Sequence, residues 1–83
     1  MMHTSPSTLP GDWHASRALK PEDGLYNRWI VIHPGNNDFT PFVVHVAHWD
    51  DDRNVWCYEY GDYCKNMADA KVAFDRRCQR YGA

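Results

Sequence analysis

The chain has 83 residues and a formal net charge of −2 at pH 7, a length that gives one domain and leaves no room for a second. Hydrophobic residues make up 43% and charged residues 24%, which is the composition of a globular protein rather than a disordered one. A slightly acidic chain also lacks a general attraction for phosphate backbones, since that requires clustered Lys and Arg.

Cysteine spacing and the lack of long apolar runs define the expected class of protein. The three cysteines are Cys57, Cys64 and Cys78, and they follow neither a zinc-finger nor a C-x-x-C redox pattern. The N-terminus shows no secretory signal, and no apolar run approaches the ~20 residues that span a bilayer. We therefore expect a soluble cytoplasmic protein that contacts no membrane and carries no cofactor or metal.

The N-terminal part of the chain divides into a tail and a short element. Residues 1–11 are rich in Ser, Thr and Pro, which predicts a flexible tail, and residues 12–83 are expected to form a single α+β domain. Asp12 is a suitable N-cap for a short helix ending at Leu19. A packed loop anchored by Trp13 is the alternative.

Three runs of β-branched and aromatic residues predict an antiparallel meander. The predicted strands are Tyr26–His33, Phe42–Trp49 and Val55–Tyr60. They are separated by the loop Gly35–Pro41 and the polar hairpin tip Asp50–Asn54, both rich in turn-forming residues. Because side chains alternate along a strand, both faces of this sheet are largely apolar.

An amphipathic helix is predicted at Met67–Tyr81, with Asn66 as its N-cap and Gly82 just beyond its end. Its apolar residues form one narrow stripe: Met67, Ala70, Phe74, Cys78 and Tyr81. A stripe of this width covers only one sheet face. The expected fold is therefore α+β, a three-stranded antiparallel sheet with one C-terminal helix packed on one face and a possible short N-terminal helix, an αβββα layout.

Loops and exposed rings provide the candidate contacts with a partner, because loops held by a rigid scaffold often carry recognition. The hairpin tip adds three carboxylates, and the last predicted strand places aromatic rings on one side. The predicted partner-binding residues are Asn36, Asn37, Asp38, Asp50, Asp51, Asp52, Trp56, Tyr58 and Tyr60. The structural alternatives are ordinary solvated turns for the loop and tip, and a core position for the aromatic row.

Histidines and cysteines raise the question of a metal or catalytic site. His33 and His45 face each other if their strands are neighbours, and with Cys57 or a carboxylate they would form a zinc site. Strand histidines that bind no metal are the more common case. Cys64 precedes the helix, where a thiol pKa can fall, but no His or Asn near it in sequence completes a catalytic arrangement. We expect no enzyme activity.

The order of the elements resembles the double-stranded RNA-binding domain. The resemblance includes a Gly-containing loop before a Phe-led second strand, from Gly35 to Phe42, and Ala70-Lys71 within the last helix. That family grips phosphates with lysines at the start of its last helix, where this chain has Asn66–Asp69. The resemblance implies an RNA-binding function, which here would use Lys65, Lys71, Arg76 and Arg80.

In size, charge and layout the chain also resembles the small phage-encoded inhibitors, anti-CRISPR proteins among them. This resemblance implies a non-enzymatic binding protein that occludes a site on a larger host protein or nucleoprotein complex in the host cytoplasm. It is our first functional expectation, followed by RNA binding and by a small metal-binding protein. An uncovered sheet face would further favour a homodimer, because large exposed apolar patches generally mark interfaces.

Overall fold

The β-branched runs form one antiparallel sheet in the computed structural model, which describes residues 8–21, 26–35 and 37–82. The strands are β1 (Ala15–Ala18), β2 (Arg28–Pro34), β3 (Phe42–Asp50) and β4 (Val55–Cys64), followed by the helix α1 (Met67–Tyr81). The strands lie side by side in the order β1-β2-β3-β4. The predicted α+β class and C-terminal helix are confirmed, but the prediction of a three-stranded sheet is wrong, because the sheet has four strands.

The additional strand replaces the predicted N-terminal helix. Ala15–Ala18 pairs antiparallel with β2, with Ala15 opposite Ile32, and the backbone N–H of His14 donates to the carbonyl of Ile32 at 2.8 Å. A helix of about eight residues is marginal in water. The outer edge of β2 instead offers unpaired backbone groups, and pairing satisfies the donors and acceptors of both segments.

The helix α1 begins and ends as its sequence predicts. The Asn66 side chain accepts a hydrogen bond from the backbone N–H of Asp69 at 2.8 Å, and Gly82 adopts a left-handed conformation with φ of 72°. A residue with a side chain is strained in that conformation, so glycine suits the position. Among the described residues, no helix combines the length and apolar character needed to cross a membrane.

The main core lies between α1 and the sheet. From the helix it takes Ala70, Phe74 and Cys78, and its buried sheet-side members are Leu19, Ile30, Ile32, Val44, Val46 and Cys64. The register places Ile30 opposite Val46, so the facing strands present their apolar side chains to the helix together. This is the face that the helix stripe is predicted to cover.

The opposite face of the sheet is also buried at its centre. Val31, Val43 and Ala47 point away from α1 by strand alternation, and at most 2% of the surface of each is exposed. Side chains outside the α1 core must therefore cover them. The rings that do so form the candidate site.

Candidate binding surface

Ring side chains cover the sheet face that α1 leaves open. We call them the aromatic layer: Trp13, Trp29, His33, His45, Trp49, Trp56, Tyr58 and Tyr63. Three of these rings come from β4, and one comes from the segment before β1. The layer is therefore assembled by the sheet from residues that are far apart in sequence.

Trp56 is the centre of the tryptophan half of this layer. Its ring centroid lies 4.8 Å from that of Trp13, 5.2 Å from that of Trp29 and 5.2 Å from that of Trp49. The Trp13 indole N–H also donates to the Tyr58 hydroxyl at 3.2 Å. The segment before β1 thus closes over the sheet, and Trp56, a predicted partner-binding residue, is half-buried and packed on three other indoles.

A pair of histidines lies in the other half of the layer, together with Tyr58 and Tyr63. His33 and His45 lie on neighbouring strands with stacked rings, whose centroids are 4.7 Å apart, and Nε2 of His33 is 2.5 Å from Nδ1 of His45. Such a contact requires one nitrogen to donate and the other to accept, so both rings cannot be charged. Tyr58 stacks on the His33 ring at 4.6 Å.

The predicted zinc site does not assemble with Cys57. Cys57 lies opposite His48 on β3, on the α1 side of the sheet, whereas the histidine pair lies on the other side. Within the described part of the chain, no third His, Cys, Asp or Glu completes a metal-binding group with this pair. The histidine pair therefore does not support the prediction of a small metal-binding protein.

Burial lowers the pKa of both histidines. The pKa of His45 falls to about 4, chiefly because burial removes water from the ring and secondarily because of the charge of His33. Burial also lowers the pKa of His33, partly offset by the Asp12 carboxylate. The folded protein therefore holds the pair neutral at pH values where an exposed histidine begins to gain a proton.

We expect the protein to lose stability as the pH falls below the ordinary histidine pKa of about 6.5. The unfolded chain takes up a proton at His45 in that range while the folded chain does not, and the loss continues down to the folded pKa of about 4. Allowing for the partial exposure of the ring, the loss attributable to His45 is about 2 kcal/mol. Urea unfolding at a series of pH values between about 7 and 4 measures this loss in the free energy of unfolding.

Replacing His45 with Phe keeps a ring in the layer but removes the titrating group, and should flatten this pH profile. His48→Gln is the matched control on the opposite face of the same strand, and it should leave the profile steep. A profile equally steep in the His45→Phe protein would show that other groups cause the acid sensitivity.

The last strand continues to Cys64, so its predicted end at Tyr60 is wrong. A bulge absorbs the irregular residues: Val46 pairs with Glu59, whereas Val44 pairs with Asp62. Tyr60 has a positive φ of 57°, as bulged residues can. The strand then resumes to Cys64.

Gly61 is required at this bulge because His45 occupies the space beside it. A Cβ atom at residue 61 would lie 2.6 Å from Nε2 of His45, closer than any ordinary contact. The His45 ring cannot easily move away, since it stacks on His33. The histidine pair and the shape of β4 therefore depend on each other.

The edge strand β4 carries three exposed tyrosines. The exposed fractions are 38% for Tyr58, 69% for Tyr60 and 65% for Tyr63. We call these residues the tyrosine edge. The sequence predicts Tyr58 and Tyr60 as partner-binding residues but not Tyr63, because the alternation of the strand stops at Gly61 when the sequence is read alone.

The loop before β3 holds its shape through Asn37. The Asn37 side-chain oxygen accepts hydrogen bonds from the backbone N–H groups of Phe39, at 3.0 Å, and Thr40, at 2.8 Å. Asp38 is exposed, and Phe39 is 86% exposed, although nothing in its sequence position signals this. Asn36, also predicted to bind a partner, lies outside the described residues.

The hairpin tip is an ordered turn. Asp50 accepts hydrogen bonds from the Arg53 side chain at 2.8 Å and from the backbone N–H of Asp52 at 3.1 Å. The Arg53 side-chain hydrogen bond is the main reason that the pKa of Asp50 is lowered. Carboxylate oxygens of Asp50, Asp51 and Asp52 lie within 4.8 Å of one another. Asp50 already accepts the hydrogen bonds of the turn, and Asp52 is the exposed member of the three.

The tip and the loop stand at opposite ends of β3. This strand has nine residues, so roughly 25–30 Å separate its ends. The structure therefore does not bring the predicted partner-binding residues together in one site. Tyr63 lies at the loop end, where it pairs with Val43, and the tip lies at the other.

The basic residues of α1 also divide into two groups. Arg76 and Arg80 line a groove together with Asp62, Ala73 and Arg77. Lys65 and Lys71 are exposed but do not line it. In the sequence Arg77 is only one member of a run of basic residues, with no signal that it reaches β4.

No protein-family model matches the chain, and no curated protein or solved structure matches it either.

Proposed function

We propose that the protein is a non-enzymatic binding protein that contacts a partner protein through the tyrosine edge. The observation that carries this proposal is the exposure of Tyr60 and Tyr63, at 69% and 65%, on a strand that borders the sheet. Tyrosine is enriched at the energetic centres of protein interfaces, because it combines a large apolar ring with a hydrogen-bonding hydroxyl.

The strand that presents these tyrosines is anchored by packed side chains at both ends. Trp56 and Tyr58 pack in the aromatic layer at one end, and Cys64 is buried in the α1 core at the other. A rigid scaffold reduces the entropy lost when side chains are fixed on binding. The bulge twists the strand, which disfavours pairing of its backbone with a foreign strand, so side chains supply the contact.

The chemistry of the edge favours a basic partner surface. Glu59 is exposed on the same strand, and the chain is net negative. Tyrosine faces also attract the cations of Arg and Lys. A basic surface of this kind is what a nucleic-acid-binding protein presents, which supports the version of the proposal in which this chain acts as a phage-type inhibitor, occluding such a site on a larger host complex.

Photo-crosslinking tests the proposal even when the identity of the partner is unknown. A photoreactive phenylalanine analogue placed at Tyr60 or Tyr63 should give one discrete crosslinked protein in cells that contain the partner. The same analogue at Val72, which is 52% exposed on α1, should not give that product. Equal labelling from Val72, or no product from either tyrosine, would contradict the proposal.

A paired substitution then tests the energetics. Tyr60→Ser with Tyr63→Ser should weaken binding of the crosslinked partner by about 100-fold or more if these rings are interface centres, while the folded state persists because both side chains are exposed. Asp52→Lys tests whether the hairpin tip contributes, and unchanged binding there would confine the interface to the loop end. Sedimentation analysis of the purified chain identifies a second copy as the partner if a dimer dissociates in the tyrosine variant.

A further inference from the structure

A groove between α1 and β4 is lined by three arginines, and nothing in the proposed protein contact uses it. Its volume is about 430 Å³, and its lining residues are Asp62, Ala73, Arg76, Arg77 and Arg80. The four helix residues recur at intervals of three, one and three, which places them along one side of the helix. Asp62 faces them from β4.

Positive charge exceeds negative charge in this groove. Arg77 donates to Asp62 across it, with Nη2 of Arg77 2.9 Å from Oδ2 of Asp62, so one carboxylate faces three guanidinium groups. Arg76 and Arg80 form no ion pair with any described residue. Their charges are available to an anion that enters the groove.

Arg77 is held in place and retains unused hydrogen-bonding capacity. Its side chain is only 12% exposed, and its Nη1 atom is buried without a hydrogen-bond partner among the described residues. A buried donor left unpaired costs free energy. Asp62 therefore does not use all the donors of this guanidinium, which lines the groove and keeps hydrogen-bonding capacity for an anion there.

We infer that this groove binds a small phosphorylated molecule, with its phosphate held by Arg76, Arg77 and Arg80. Guanidinium groups match phosphate oxygens in charge and geometry and bind them through paired hydrogen bonds. The groove volume falls within the range of small-molecule sites, about 300–1,000 Å³, and is larger than a bare phosphate requires. Ala73 is the apolar member of the lining and offers a contact for the organic part of the ligand.

A nucleic acid duplex fits the observations less well. A backbone-binding surface extends along many phosphates and needs a row of basic residues, whereas Lys65 and Lys71 lie outside the groove and the whole chain is net negative. The sequence predicts four nucleic-acid-binding residues, and only two of them, Arg76 and Arg80, belong to the proposed ligand site. Lys65 and Lys71 do not.

Titration of the ¹⁵N-labelled protein at low ionic strength tests the inference, with ADP and inorganic pyrophosphate as probes. ADP should produce saturating amide shifts confined to the groove, around Asp62, Ala73 and residues 76–80, with a Kd of about 1 mM or tighter. Pyrophosphate should bind the same residues more weakly, because it lacks an organic part. Scattered shifts that do not saturate, or tighter binding of pyrophosphate, would overturn the inference.

Two double variants with the same change in net charge separate a specific site from general attraction. Arg76→Gln with Arg80→Gln should weaken ADP binding by at least about tenfold, and both side chains are exposed, so the fold should persist. Lys65→Gln with Lys71→Gln should leave binding unchanged. If both double variants weakened ADP binding equally, the small-ligand site would be refuted. It would also be refuted if duplex RNA bound more tightly than ADP and both double variants reduced that RNA binding.

The Tyr60→Ser and Tyr63→Ser protein should bind ADP as the unmodified protein does. In that variant, retained ADP binding together with loss of the protein partner is the result that both proposals predict. Loss of ADP binding would contradict the phosphate site, and an unchanged protein contact would contradict the tyrosine edge.

Discussion

Replacing Trp56 with Ala is expected to lower the free energy of unfolding by about 3–5 kcal/mol. The indole of Trp56 contacts those of Trp13, Trp29 and Trp49 with centroid separations of 4.8–5.2 Å. Its removal leaves a cavity and exposes three other rings. Small domains have total stabilities of about 5–15 kcal/mol, so this one substitution removes a large share. Denaturant unfolding monitored by far-UV circular dichroism measures the loss.

Two variants make the Trp56 result specific. Trp56→Phe keeps a ring at the centre of the layer and should cost clearly less than Trp56→Ala. Tyr60→Ala removes an aromatic ring from the same strand at a position that is 69% exposed, and should change stability by less than about 1 kcal/mol. A Trp56→Ala protein as stable as the Tyr60→Ala protein would mean that the aromatic layer contributes binding surface and little stability.

The second large effect is expected at Phe74, on the opposite side of the sheet. Phe74 is only 8% exposed and packs in the α1 core, so Phe74→Ala should also cost about 3–5 kcal/mol. Val72→Ala is the matched control, since Val72 lies on the same helix and is 52% exposed. Equal losses from the two helix variants would contradict the assignment of the buried stripe.

Comparison of the two large effects tests whether the sheet has two separate hydrophobic layers. Trp56 and Phe74 lie on opposite faces and share no ring contact, so their costs should add in a double mutant to within about 0.5 kcal/mol. That double mutant requires a stabilising co-solvent such as sulfate for measurement, because the sum approaches the whole stability of a small domain. A strongly non-additive result would show that the faces are coupled through the strands.

Protonation of His45 is expected to affect the shape of β4 as well as the stability of the fold. The histidine pair lies beside the tryptophan half of the layer and fixes the bulge next to Gly61. Low pH should therefore disturb the tyrosine edge as well as lower the free energy of unfolding. Tyr60 and Tyr63 lie on β4 on either side of Gly61, so a change in the bulge changes their positions. If a partner binds the tyrosine edge as proposed, we expect that binding to weaken at low pH, because the strand that carries the edge depends on the neutral histidine pair.

The elements that could be predicted from the sequence are those whose signals are local. The bounds of α1 follow from Asn66, Gly82 and an apolar stripe, because capping and helical periodicity act within a few residues. The cores of β2 and β3 follow from β-branched runs bounded by turn residues in the same way. The sequence also indicated that both sheet faces are apolar, and therefore that a cover beyond α1 is needed.

Features that depend on residues far apart in sequence could not be predicted and follow from tertiary packing. Ala15–Ala18 has no strong strand signal, and it becomes β1 because β2 offers it an unpaired edge. The continuation of β4 past Gly61 depends on the His45 ring from the neighbouring strand. The arginine groove depends on Asp62, fifteen residues before Arg77, reaching the same helix face. Capping and periodicity are set by neighbours in sequence, whereas edges, bulges and grooves exist only once separate strands are packed together.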